Sequence, residues 1–97
     1  MRTIAISKLR AFWMRQAESE HLLRAWYDIV TAARWTSFAD IRQTFPTADW
    51  VSPDRCIFNV GGNKYRVVTV VDFEKHGVLI RFVGTHSEYD RNDARKV

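Results

Sequence analysis

The sequence predicts a single α+β domain, residues 1–97, in which N-terminal helices pack on an antiparallel β-sheet. Three features support this class. The first half of the chain carries apolar residues at helical spacing. The second half alternates β-branched and aromatic runs with turn-forming residues. A chain of 97 residues is also short enough to build one hydrophobic core and no more.

The first half is expected to hold a short strand over residues 3–6 and three helices. Ser7 is a candidate cap for a helix over residues 8–17, and a second helix is expected to start near Ser19. A third helix, capped by Ser37, ends before Pro46. The core-facing stripe of the second helix is expected to contain Leu22, Trp26, Ile29 and Ala33. Its water-facing residues are expected to include Arg24, Asp28 and Arg34.

The second half is expected to be mostly strand. Residues 46–54 form a loop in which Trp50 either pins the chain to the core or presents an exposed ring for stacking. The predicted strands cover residues 56–60, 64–73 and 78–83, with a tight turn at Gly61 and Gly62 and a second turn over 74–77. The order of elements is then β-α-α-α-β-β-β, and a helical turn is expected after Thr85.

The charge balance favours an anionic partner. Fifteen Lys and Arg against eleven Asp and Glu give a net charge of +4, and eleven of the fifteen cations are Arg. The planar fork of an arginine matches phosphate oxygens in pairs, so nucleic acid or an acidic protein is a candidate partner. An ordinary soluble surface is the alternative, because a net charge of +4 does not exclude it.

Several other classes of protein are disfavoured. Cys56 is the only cysteine and lies in an apolar run, so it is expected to be a buried strand residue. Because no Cys/His ligand spacing occurs, we expect neither a metal site nor a cofactor. No apolar run approaches the roughly 18 residues of a membrane span. The start of the chain, Met1 to Ile4, is too short an apolar stretch for a signal peptide, and polar residues follow too early. A cytoplasmic protein is therefore expected.

The first hairpin predicts a cluster of polar side chains. With Gly61 and Gly62 as a two-residue turn, Asn59 lies opposite Lys64, and Ile57 lies opposite Arg66. Asn59, Lys64 and Arg66 then share one face of the sheet, because side chains alternate along a strand. Two cations beside an amide form a candidate anion site, although solvated strand positions are an equally good interpretation.

The second hairpin is expected to bring further groups to the same end of the sheet. A two-residue turn at 75–76 or at 76–77 places Arg66 opposite Thr85 or Ser87, and therefore close to His86. Arg81 lies further along the strand and is expected to share the face of Arg66. If the segment after Thr85 is helical, Tyr89 lies on the same side of the turn as His86.

Groups of these types are what RNA cleavage without a metal requires. A base takes the proton from the ribose 2′-OH, cations stabilise the phosphate, and an acid protonates the leaving 5′-oxygen. His86 is a candidate acid or base, and Arg66 and Lys64 are candidates for the phosphate. Tyr89 is a candidate for proton transfer or base stacking. A structural role for His86 is the alternative, and His21 and His76 are interpreted as surface residues.

Three segments of the chain resemble the HigB-type toxins of bacterial toxin–antitoxin systems. Residues 57–68 read I-F-N-V-G-G-N-K-Y-R-V-V, which is similar to the F-N-[IV]-x-G-N-x-[YL]-R-[LV] hairpin of that family. Residues 84–90 read G-T-H-S-E-Y-D, which is similar to its T-H-x-[ED]-Y-D ending. Residues 45–49, F-P-T-A-D, are similar in kind. The hairpin and the ending are fairly specific together, whereas either alone is weak.

The resemblance implies a RelE-like fold and ribosome-associated cleavage of messenger RNA without a metal. It also implies a tightly bound antitoxin partner, commonly a HigA-like helix-turn-helix protein whose complex with the toxin represses its own operon. Asn63, Lys64 and Arg66 fall in the hairpin motif, and His86 and Tyr89 fall in the ending. The predicted catalytic residues are therefore Arg66, His86, Lys64 and Tyr89. The predicted RNA-binding residues are Asn59, Asn63 and Arg81.

Two other functions are compatible with the same residues. The first is a non-catalytic module that binds RNA or the ribosome with the basic face, and RNA cleavage by the pure protein would separate it from an enzyme. The second is an interaction protein whose basic surface meets only an acidic partner. Salt-dependent binding of RNA without that partner would count against the second alternative.

Overall fold

The computed structural model describes residues 1–92 and 96–97. The described helices and strands are β1 (Arg2–Ile4), α1 (Ile6–Arg15), α2 (Glu20–Ala32), α3 (Phe38–Thr44), β2 (Asp49–Val51), β3 (Arg55–Val60), β4 (Tyr65–Asp72), β5 (Gly77–Thr85) and α4 (His86–Asp90). A 3₁₀ turn, Ala17–Ser19, joins α1 to α2. The strands form one sheet in the order β1-β5-β4-β3-β2. The predicted α+β class is confirmed, and the sheet is mixed because β1 pairs with β5 in parallel.

The helix starts are only partly as predicted. Ser37 caps α3, since its side chain accepts a hydrogen bond from the Asp40 amide at 3.3 Å. Ser7 does not cap α1. The helix begins at Ile6, and its N-cap residue is Ala5, which has a φ of 71° and makes no side-chain cap hydrogen bond. The chain turns directly after β1, so Ser7 lies inside the first helical turn.

The stripe predicted for α2 is wrong by one position on the helix wheel. The buried residues of α2 are Leu23, Trp26 and Val30, whereas Ile29 is 45% exposed and Leu22 is only half-buried. Both stripes have helical spacing and share Trp26, so periodicity alone could not separate them. The expected water-facing residues of this region, Arg24, Asp28 and Arg34, are exposed.

The segment predicted as a loop over residues 46–54 contains the edge strand β2, in which Trp50 is the register partner of Cys56. A strand of three residues between two prolines gives little sequence signal. Trp50 does pin this segment to the body of the protein. Its ring lies 5.4 Å from the ring of Phe38 and 5.8 Å from that of Phe73, centroid to centroid.

The sheet has two different faces. On the helical face, alternate strand residues such as Phe58 and Val67 are fully buried against α1, α2 and α3. Trp26 packs edge-on against Phe58 with 5.3 Å between ring centroids. The intervening strand residues lie on the second face, called here the open face, which carries a small apolar cluster around Ile57 and Val68. The other members of that cluster are Val51, Phe82, Tyr89 and Val97.

Candidate functional site

The β3–β4 hairpin turns through four residues. Val60 pairs with Tyr65 and Asn59 pairs with Arg66, so the predicted pairing of Asn59 with Lys64 is wrong by two residues. Because the shift is even, Asn59 and Arg66 still share one face of the sheet. Lys64 leaves the strand and is exposed in the turn, next to the exposed Asn63.

The turn needs glycine at its first position. Gly61 and Gly62 have φ of 65° and 67°, in the left-handed region that other residues rarely adopt. A Cβ atom on Gly61 would also lie 2.8 Å from Cδ1 of Leu22 on α2. The first residue of the turn therefore lies close to the second helix, whereas Asn63 and Lys64 are exposed.

The β4–β5 hairpin differs from the prediction in two ways. Its pairing ends at Asp72 and Gly77, so the turn is longer than two residues, and a bulge lies between Val68 and Thr69. Arg66 pairs with Gly84, so the expected pairing with Thr85 or Ser87 is wrong. Val68 pairs with Phe82 and Thr69 with Ile80, which leaves Arg81 at the bulge. Arg81 lines a groove beside α1, and the expectation that it shares the face of Arg66 stays a prediction.

Arg66 is the centre of the polar cluster on the open face. Its guanidinium carbon lies 4.9 Å from the centre of the Tyr89 ring, a cation–π distance. Among the described residues, the buried Nε of Arg66 and the buried Oδ1 of Asn59 have no hydrogen-bond partner. The amide nitrogen of Asn59 is occupied, because it donates to the Thr47 carbonyl at 3.0 Å. A donor and an acceptor without protein partners thus lie on neighbouring strands.

Helix α4 is held by a capping box. The Thr85 hydroxyl accepts from the Glu88 amide at 3.2 Å, and Glu88 Oε1 accepts from the Thr85 amide at 2.8 Å. Glu88 Oε2 accepts from Arg15 of α1 at 2.9 Å. The Thr85 amide, and then Arg15, hold the pKa of the Glu88 carboxyl below its usual range. Glu88 therefore ties the helix of His86 and Tyr89 to α1.

His86 begins this helix and lies beside the hairpin turn. Its amide donates to the Lys64 carbonyl at 3.2 Å, so Lys64 and His86 meet through the main chain. The imidazole is 46% exposed, and its Nδ1 lies 3.1 Å from Oδ2 of Asp90. A carboxylate at this distance favours a proton on Nδ1, which leaves Nε2 available for proton transfer. The structure therefore brings Lys64, Arg66, His86 and Tyr89 to one end of the sheet.

Residues 19–92 match the HigB toxin family, described as the RelE-like toxic component of a toxin–antitoxin system. The chain belongs to the HigB toxin family. The curated relatives that match include the mRNA interferase toxin HigB of Escherichia coli K12 and the mRNA interferase HigB of Shigella flexneri. Each is 59% identical over 34 residues, and this stretch covers 35% of the chain and 33% of the relative.

Three residues of this HigB-family chain, Thr85, Glu88 and Asp90, were not identified from the sequence as parts of the site, although each has a sequence signal. Thr85 and Glu88 have the T-x-x-E spacing of a capping box. His86 and Asp90 are four residues apart, the spacing at which side chains meet on a helix. Arg15 could not be found in this way, because it lies 73 residues from its partner Glu88.

The remaining candidate groups of this HigB-family chain lie away from the cluster. Burial, followed by the charge of Asp49, raises the pKa of the Cys56 thiol to about 12, so this thiol is protonated and unreactive near neutral pH. His21 and His76 are exposed, as predicted. In residues 1–92 and 96–97, no group of three or more His, Cys, Asp or Glu side chains is placed to hold a metal ion. No helix in the described part of the chain is long and apolar enough to cross a membrane.

Proposed function

We propose that this toxin is an endoribonuclease that cleaves messenger RNA on the ribosome without a metal ion and so stops translation. The observation that carries the proposal is the cluster at the end of β4, where Arg66 lies over Tyr89 and the His86–Asp90 pair begins the next helix. The family match supports the toxin role, and the names of the relatives support messenger RNA as the substrate.

The proposed reaction is transfer of the phosphate within the RNA chain. The ribose 2′-oxygen loses its proton and attacks phosphorus, and the bond to the 5′-oxygen breaks as that oxygen gains a proton. The products are a 2′,3′-cyclic phosphate and a 5′-hydroxyl. Nε2 of His86 is suited to carry one of these protons, with Asp90 holding the ring by Nδ1.

The phosphate needs positive charge and hydrogen-bond donors as the transition state forms. Arg66 supplies both, and its fork of donors fits two phosphate oxygens. The Tyr89 ring lies against the guanidinium of Arg66, and it is also suited to stack on a base. Lys64 is exposed in the adjacent turn, where its ammonium reaches the RNA backbone. Asn59 and Asn63 are the proposed neutral RNA contacts on the same side.

An antitoxin is the second proposed partner. A toxin of this family acts only when its antitoxin is missing, so the cell must hold a protein that covers or distorts the active surface. We expect a helix-turn-helix protein of the HigA type. Copurification of the two proteins from one operon, with loss of RNA cleavage in the complex, would test this.

Cleavage of RNA by the purified protein tests the central proposal. A short RNA and a message on pre-formed ribosomal complexes are incubated with the toxin in EDTA or in magnesium. We expect cleavage in EDTA and ends carrying a 2′,3′-cyclic phosphate or the 3′-phosphate derived from it. Activity that is lost in EDTA on the short RNA and restored by a divalent ion would contradict the metal-free mechanism. Cleavage of the ribosomal message alone would make the ribosome a required partner.

Expression in cells separates the enzyme from a binding module. Without an antitoxin, expression is expected to stop growth and shorten messages. Growth arrest with intact messages would favour a non-catalytic module that blocks RNA or the ribosome. Unchanged growth with soluble, folded toxin in the cells would contradict both.

A further inference from the structure

A basic groove lies between α1 and β5, beside the Arg66 cluster. Its volume is about 250 Å³. Its lining residues are Lys8, Ala11, Phe12, Arg15, Arg81, Phe82 and Val83. Three of these residues are cations and none is acidic, so the groove favours an anionic ligand.

The groove follows from the sheet topology. β1 covers only the Gly77–Leu79 part of β5, and α1 packs along the rest of that strand. Lys8 and Arg15 both face the groove, because residues seven apart lie on one side of a helix. Their Cα atoms are about 10 Å apart along the helix axis at 1.5 Å per residue. The cations are thus spread along the groove, as an extended polyanion requires.

Two of the three cations in the groove have no ion-pair partner among the described residues. Arg15 is shared with Glu88 of α4 and lies 4.7 Å above the Phe12 ring. Lys8 and Arg81 are exposed, and neither forms an ion pair within residues 1–92 and 96–97. Exposed, unpaired cations lose little hydration and little pairing energy when a phosphate approaches.

The groove is continuous with the proposed cleavage site. Phe82 lines the groove and also packs in the open-face cluster with Ile57, Val68 and Tyr89. Tyr89 in turn lies under Arg66. Two aromatic side chains, Phe82 and Tyr89, therefore lie between the groove and the group that would hold the cleaved phosphate.

We propose that this groove binds backbone phosphates of the single-stranded RNA substrate on one side of the cleaved phosphate. Lys8 and Arg81 contact the phosphates, and Phe82 separates the groove from the reacting position. This inference rests on the proposed function, since it takes RNA as the substrate of the adjacent site.

Salt-dependent binding of a short RNA tests the groove. The probe is a single-stranded oligonucleotide with 2′-O-methyl groups, which binds but cannot be cleaved by attack of the 2′-oxygen. Lys8→Gln with Arg81→Gln removes two cations from the groove. Arg34→Gln with Lys75→Gln is the matched control, because both residues are exposed and neither lies in the groove or the site.

The slope of log K against log [salt] should become shallower by about 1.4 in the groove variant, since each lost single-strand contact removes about 0.7. The control should keep the wild-type slope, and both variants should keep the wild-type thermal midpoint. An unchanged slope and affinity in the groove variant would overturn the inference. The inference would also be overturned if the groove variant bound the short RNA normally but bound ribosomes more weakly, because the groove would then serve ribosomal RNA.

The experiment separates this inference from the proposed function. If the wild-type protein cleaves no RNA but the groove variant loses salt-dependent binding, the proposed enzyme fails and the groove stands. If the wild-type protein cleaves RNA and the groove variant binds and cleaves like the control, the groove fails and the enzyme stands.

Discussion

The two faces of the sheet use alternate residues of the same strands for different purposes. Phe58 and Val67 on the helical face are fully buried and apolar. The Thr69 hydroxyl is also buried, and it donates to the Cys56 carbonyl at 2.9 Å. The neighbouring residues on the same strands, Asn59 after Phe58 and Arg66 before Val67, have buried polar atoms without partners in the described part of the chain. The helical side carries one such atom as well, Nε1 of Trp26. On the open face, however, an unpaired donor and an unpaired acceptor lie on the register partners Arg66 and Asn59. We therefore interpret the helical face as built for stability and the open face as built for binding.

The open face keeps these groups at a cost. A buried donor or acceptor without a partner destabilises a fold by about 1–3 kcal/mol. Such groups are rare in native proteins and are expected at functional positions. A phosphate or a ribose hydroxyl that reaches Arg66 and Asn59 would satisfy them. The contrast between the faces therefore predicts that substitutions on one face change stability and substitutions on the other change activity.

The largest effect on stability is expected from the helical face. Phe58→Ala should lower the free energy of unfolding by about 3–5 kcal/mol, because the ring is fully buried among Trp26, Trp35 and Phe45. Urea denaturation measures this loss. Phe58→Leu is the control, since it leaves a smaller cavity and should cost less. A loss below 1 kcal/mol, by the usual scale of core truncations, would contradict the role given to this face.

The largest effect on activity is expected from His86. His86→Ala should slow RNA cleavage by about 10²–10⁴-fold if the imidazole transfers a proton. The thermal midpoint should not change, because the side chain is exposed and packs on little. Asp90→Asn should slow the reaction less, since Asp90 orients the ring and does not itself transfer the proton. Full activity of His86→Ala would remove this residue from the reaction.

A smaller effect on both properties is expected from Glu88. Glu88→Ala removes the reciprocal half of the capping box and the ion pair with Arg15. The loss of stability should be about 0.5–2 kcal/mol, the scale of a lost helix cap. Cleavage should also slow, because Tyr89 is then held less firmly under Arg66. Glu88→Gln keeps the hydrogen-bond acceptor and should retain most of the stability and most of the cleavage rate. Equal losses in Glu88→Gln and Glu88→Ala would argue against the cap.

The smallest expected effect is a pH dependence. The pKa of Glu88 is lowered in the folded chain, so its contribution to stability is fully present above its ordinary value of 4.5. That contribution is lost as the pH falls through the lower, folded pKa. Thermal midpoints between pH 3 and pH 6 should therefore fall more steeply toward acid in the wild type than in Glu88→Gln. Parallel curves would contradict the assignment.

Much of the open face could be predicted because strand alternation tolerates an error of two residues. The pairing of Asn59 was wrong, but its face and that of Arg66 were right. The bulge between Val68 and Thr69 could not be read, since no glycine or proline marks it. Arg81 is the extra residue of this bulge, and it lines the groove beside α1.

The parts that could not be predicted depend on contacts between distant segments. The turn of the first hairpin, for example, places Gly61 so close to Leu22 of α2 that a Cβ atom would lie 2.8 Å from Leu22 Cδ1. The support of α4 by Arg15 is equally remote. Local patterns predicted which residues are polar and which element holds them, whereas tertiary packing decided their final neighbours.

The most direct test is the single-turnover rate of RNA cleavage by Arg66→Ala, measured together with its thermal midpoint. We expect a loss of about 10²-fold or more in rate, the scale of one lost donor to the transition state. The midpoint should change little, and Arg66→Lys should keep part of the rate. The double variant with His86→Ala should lose less than the product of the two single effects, since both groups act on one transition state. A wild-type rate in Arg66→Ala, or a loss of rate that follows a large fall in the midpoint, would contradict the account.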